Sequence, residues 1–114
     1  MKKTLGLLRE LFFRSKLDGV ASAFGGEIVY AASIDQIAGK CAAVVPEVVF
    51  VDLSDKNFPP SEVIGAIRTS APGAGIVGVA SHVDLQTIRA ARDAGFDRVL
   101  SRQEFAARLP SLLK

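Results

Sequence analysis

A chain of 114 residues, 49% hydrophobic and 23% charged, is large enough to bury one core and too apolar for a disordered or low-complexity polypeptide. Its formal net charge of +2, with basic residues scattered singly or in one short pair, argues against the dense basic face of a nucleic-acid binder. No apolar run approaches the roughly 18 residues of a membrane span. The apolar start from Thr4 to Leu8 is broken by Arg9 and Glu10, so no secretory leader is expected.

Runs with the character of buried strands occur at Thr4–Leu8, Glu27–Ala31, Val48–Leu53, Ile76–Ala80 and Arg98–Leu100, and stretches of helical spacing alternate with them. Several of the runs are continuously apolar, as in a parallel sheet covered by helices on both faces. The first helix carries Phe13, Leu17, Val20, Ala21 and Phe24 on one stripe and ends at Gly25-Gly26. Ser33-Ile34-Asp35-Gln36 reads as a capping box for a second helix with Ile34, Ile37, Ala38 and Cys41 inward. Pro59-Pro60-Ser61 opens a third bearing Val63, Ile64 and Ile67, which stops at Ala71-Pro72-Gly73. Ser81-His82-Val83-Asp84 reads as the capping box of a fourth, with Leu85, Ile88, Ala91 and Ala94 inward and Gly95 after it. Ser101 to Glu104 gives a third such box before Phe105, Leu109, Leu112 and Leu113, and Pro110 predicts that this last helix is short. Nothing divides the chain, so residues 1–114 are expected to form one domain.

Few residues carry chemistry. The single Cys41 lies in an amphipathic stretch, which predicts a buried, reduced thiol and fits a cytoplasmic setting. Gly73-Ala74-Gly75-Ile76-Val77-Gly78 matches the dinucleotide-binding glycine pattern, but it follows a helix and enters a strand, the reverse of the arrangement that cradles a pyrophosphate. The single His82 has no orienting partner, and no metal-ligating or nucleophilic cluster is visible, so neither a catalytic residue nor a metal site is expected. Asp52 is the strongest clue: it ends a central buried strand, at the sheet edge where open α/β sheets bind ligands. A structural carboxylate capping the following turn explains it equally well.

The order of elements, Asp52, and the passage from Ala91 through Ala94-Gly95-Phe96 into Val99-Leu100 resemble the receiver domains of two-component response regulators over nearly the whole chain. That resemblance implies a flavodoxin-like, three-layer α/β/α fold with a doubly wound five-stranded parallel sheet in the order 2-1-3-4-5. It also makes Asp52 the phospho-acceptor candidate and Ser54 the position whose carbonyl helps to hold magnesium. The rest departs from the pattern. The metal-binding acid pair falls on Leu8 and Arg9, with Glu10 one residue away. The hydroxyl position falls on Ala80 or Ser81, the lysine position on Ser101 or Arg102, and the aromatic switch on Arg98, while the usual proline is displaced to Pro59.

Aspartyl phosphorylation needs a divalent ion to bridge crowded anionic oxygens. With Leu8 and Arg9 in place of the acids, Arg9 or Arg102 is expected to neutralise Asp52 directly, in a locked salt bridge that either mimics phosphorylation or, the preferred reading, is inert. The resulting expectation is a stand-alone, degenerate receiver-like module, not an enzyme, with no cofactor and magnesium only if Asp52 is phosphorylated. It acts by binding protein, such as a histidine kinase or other signalling protein, or as a homodimer, through the last helices and last strand. One alternative keeps phosphorylation of Asp52 with Glu10 as a metal ligand. Another places a small anion or nucleotide near Asp52, Ser54, Ser81 and Ser101.

Overall fold

The computed structural model describes residues 1–114. Five strands, β1 (Thr4–Leu7), β2 (Ile28–Ala31), β3 (Val48–Asp52), β4 (Gly75–Val79) and β5 (Arg98–Leu100), alternate with five helices. These are α1 (Leu11–Ala23), α2 (Ile37–Val44), α3 (Pro60–Ser70), α4 (Leu85–Ala94) and α5 (Arg102–Leu113), with a 3₁₀ turn at Ile34–Gln36 before α2. All pairings are parallel and the sheet order is β2-β1-β3-β4-β5. This is the flavodoxin-like receiver topology that the sequence leads one to expect.

Alternation along β3 separates two cores. Val49 and Val51 pack with Ile37, Cys41, Val63, Ile67 and Ala91 beneath α2, α3 and α4. Val48 and Phe50 pack with Phe13, Leu17, Phe105 and Leu109 beneath α1 and α5. Every residue of β3 is buried, which accounts for its continuously apolar sequence. Burial also pushes the Cys41 thiol up from its ordinary value, as expected of an inert core cysteine. The glycine-rich run turns into β4, not into a helix. A Cβ on Gly78 would lie 2.5 Å from Leu53 Cδ1 and 3.0 Å from the Phe96 ring, so this glycine lets the segments after β3 and before β5 pack closely on β4.

Four local readings need correction. Ser33 makes no side-chain cap bond, because the narrower 3₁₀ turn replaces the first α turn; only Gln36 reaches back, its Oε1 accepting from the Ala32 N–H at 2.8 Å. The fourth helix is capped by Asp84, which accepts from the Thr87 N–H at 3.1 Å, so the start moves three residues past Ser81. That shift turns Leu85 to solvent, and Phe24 and Ala38 also lie outside the core. Finally, α5 runs 12 residues straight through Pro110. The carbonyl that Pro110 leaves without an intrahelical donor belongs to Ala106, an exposed residue within reach of solvent. The box at Ser101 and Glu104 forms as read, at 3.1 and 3.0 Å. No helix is long and apolar enough to cross a membrane.

Candidate functional site: a carboxylate with a built-in cation

Asp52 follows Phe50 by two residues and therefore points to the α1 and α5 side of the sheet. Only 4% of it is exposed. Its Oδ1 accepts from the Ser54 hydroxyl at 2.6 Å and the Ser54 N–H at 3.1 Å, which fixes the carboxylate plane and folds the chain back after β3. The other oxygen, Oδ2, faces Arg102, whose Nη2 is 3.9 Å away. At that separation the attraction is ionic and not a hydrogen bond.

Arg102 reaches Asp52 because the Ser101 cap starts α5 directly after β5, at the carboxyl edge of the sheet. Its Nη1 donates to Glu10 Oε2 at 3.1 Å, and its guanidinium carbon sits 4.6 Å from the centre of the Phe13 ring. One cation thus joins the residue before α1, the end of β3 and the first turn of α5. Phe13 in turn meets Phe105 edge to face at 5.7 Å, and Phe105 meets Phe50 at 4.9 Å, so the guanidinium rests on a packed aromatic base.

Arg9 does not take part. The pairing of Leu7 with Val51 sets Leu8, buried, level with Asp52, and Arg9 swings outward to Asp55, with Nε at 2.7 Å and Nη2 at 3.4 Å. Asp55 also accepts from the N–H and side-chain amide of Asn57 at 2.9 and 2.8 Å. Sequence reading missed Asp55 and Asn57: the Asp-x-Asn spacing marks a local turn, but nothing in sequence links it to an arginine 46 residues away. Burial alone would raise the Asp55 carboxyl, yet Arg9 and Asn57 outweigh it and hold it below the usual carboxylate range.

A carboxylate whose folded value lies below its unfolded one contributes stability above about pH 4, and the contribution is lost as pH falls through the lowered value. Arg9→Met is therefore expected to be less stable than the parent at pH 6, with the difference closing below about pH 3. Paired urea titrations across that range check this, and a difference independent of pH would exclude the ionic account.

The remaining candidates converge partly. Ser54, Ser81, Ser101 and Arg102 line one cleft of about 370 Å³, together with His82 and Gln103. Ser101 is committed to capping, Ser54 to Asp52, and Ser81 stands exposed at the rim with a long 3.4 Å contact from the Val83 N–H. No three acidic, histidine or cysteine side chains converge anywhere to hold a metal ion. At Asp52 the donor set does not suit a divalent cation, because Glu10 is already bonded to Arg102 and Leu8 and Arg9 supply no carboxylate.

No family model and no curated protein matches the sequence. Solved structures do. The receiver domain of the sensor histidine kinase PA1611 from Pseudomonas aeruginosa, which holds a magnesium ion in its active-site cleft, superposes with a TM-score of 0.80 at 12% identity, covering 98% of this chain and 93% of that one. A CheY-like protein, TadZ, from the same organism superposes at 0.77 with 20% identity, over 98% and 96% of the two chains. NtrX from Brucella abortus, solved with ATP, gives 0.73 at 21% identity; the match covers 96% of this chain but only 24% of NtrX. With strand order, helix placement and these superpositions in agreement, the chain has the fold of a response-regulator receiver domain.

Proposed function

We propose that residues 1–114 form one receiver-like signalling module in which Arg102 is the permanent counter-ion of Asp52, and that the module acts by binding protein and not by accepting a phosphoryl group. The observation that carries this reading is the position of the Arg102 guanidinium, between Asp52 and Glu10 and against Phe13. A cation already sits beside Asp52 Oδ2, Glu10 is engaged by the same cation, and Leu8 and Arg9 supply no carboxylate to attract a metal. The exposed face of α4, β5 and α5, with Val83 outward in the turn before α4 and Leu85 outward at its first residue, supports docking of another signalling protein such as a kinase.

Incubation with acetyl phosphate and magnesium, followed by intact mass measurement, is expected to leave the mass unchanged. A gain of one phosphoryl group that disappears in Asp52→Asn would refute the proposal and favour the alternative in which Asp52 is phosphorylated.

A second reading is favoured by the cleft beside Asp52: three serine side chains, His82 and Arg102 around about 370 Å³ suit a small anion. A thermal-shift screen with inorganic phosphate, nucleotides and phosphorylated metabolites tests it. A saturable rise in Tm abolished by Arg102→Gln would support anion binding, and no rise would remove it.

A further inference from the structure

Charge is unevenly spread along this chain. Six of its 14 Lys and Arg residues but only three of its 12 Asp and Glu residues fall within positions 85–114, so α4, β5 and α5 carry a positive excess in a nearly neutral molecule. Two of those three carboxylates are already engaged. Asp97 accepts from the Ile76 N–H at 2.7 Å and lies 3.5 Å from Arg68, and Glu104 closes its capping box on the Ser101 N–H at 3.0 Å. The third, Asp93, stands exposed on α4 beside Arg89. Arg92, Arg98 and Arg108 are exposed, and none of them has a carboxylate within 4 Å.

Topology brings these three cations together. β5 begins at the sheet edge opposite Asp52, where α4 ends, and α5 returns toward that edge. Arg98 and Arg108 line one groove of about 350 Å³ with Lys2, whose backbone N–H bonds the Leu113 carbonyl at 2.7 Å. The Glu104 carboxyl is held below the usual carboxylate range first by its contacts with Ser101 and then by Arg108 and Arg92, which sets both cations around it. The face is therefore polarised: Val83 and Leu85 are exposed at the Asp52 end, and unpaired guanidinium groups gather toward the other.

We infer that this strip takes an acidic segment of a partner protein, whose carboxylates pair with Arg92, Arg98 and Arg108 while its apolar side chains cover Val83 and Leu85. The inference rests on the protein-docking reading above and adds the chemistry of the partner. A planar guanidinium matches a carboxylate with two parallel N–H donors, and here the forks are unoccupied. A second copy docked through the same face by a two-fold axis would set the strip against itself. Nucleic acid suits it less well, because Asp93, Asp97 and Glu104 stand among the cations and repel a phosphate backbone, and the whole chain carries a net charge of only +2.

Calorimetric titration and amide chemical-shift mapping with a synthetic peptide of repeated Glu-Glu-Leu test the inference, beside the same peptide with Gln for Glu and a duplex DNA oligonucleotide. The acidic peptide is expected to shift amides of α4, β5 and α5 and to bind more weakly as salt rises. The double variant Arg98→Gln/Arg108→Gln, at two exposed positions, is expected to lose about tenfold or more in affinity at unchanged Tm. Absence of binding overturns the inference, and so does binding that is indifferent to the double variant, centred on another face, or weaker than that of the DNA. Equal binding of the Gln peptide on the same amides overturns the acidic partner and leaves the docking face standing. Phosphoryl transfer to Asp52 is read separately by mass, because the arginine facing Asp52 is Arg102, which the double variant retains.

Discussion

Phe105→Ala is expected to destabilise the fold by about 3–5 kcal/mol, the range for removing a buried aromatic ring from a packed core. Phe105 is 1% exposed and stands edge to face with both Phe13 and Phe50, so its loss opens a void at the junction of α1, α5 and β3. The aromatic geometry adds about 0.5–1.5 kcal/mol per pair beyond the area buried, which places the effect toward the upper end. Urea unfolding should show a lower midpoint at unchanged slope, and Tm should fall by more than about 10 °C. Because Phe13 also supports Arg102, the same variant loosens the guanidinium beside Asp52. A loss below about 1 kcal/mol would mean that the helix layer closes over the gap and the three rings are not the keystone of this face.

Arg102→Glu is the second large effect, and the more informative for function. It deletes the cation between Asp52 and Glu10 and puts a third carboxylate in its place, so three acids share one corner of the sheet. In metal-free buffer the variant is expected to lose about 1–3 kcal/mol, the scale of an unmade charge-assisted bond plus like-charge crowding, reduced by the half-exposed setting of Arg102. Magnesium or calcium should restore part of that stability in the variant and leave the parent unaffected, since the new trio offers the oxygen donors that the parent lacks. Thermal unfolding with and without chelator reads both effects. Equal stabilisation of parent and variant by the ion would contradict a resident counter-ion at Asp52.

The architecture was legible because its signals are local. Continuous apolar runs such as Val48 to Val51 mark buried parallel strands, and the Ser101 to Glu104 box and the terminal glycines Gly25 and Gly95, at φ of 74° and 110°, mark helix ends. Two of the three capping boxes misled, since a Ser and an acid or amide three residues on also arise in the turn after a strand, where a 3₁₀ segment or a stronger carboxylate cap takes over. In the site, Asp52 stood out by its place at a strand end. Which arginine would neutralise it did not, because Arg9 and Arg102 are equally plausible until the direction of the β1–α1 loop is fixed. Burial of Leu8 decides that direction and sends Arg9 outward to Asp55. The aromatic seat of Arg102 was invisible for the same reason: Phe13 and Arg102 are neighbours only through the sheet.

A guanidinium supplied by the polypeptide itself cannot be loaded, chelated or emptied. If the charge beside Asp52 is fixed when the chain folds, the molecule holds one setting throughout its lifetime, and what it conveys depends on how many copies are made and how long they survive.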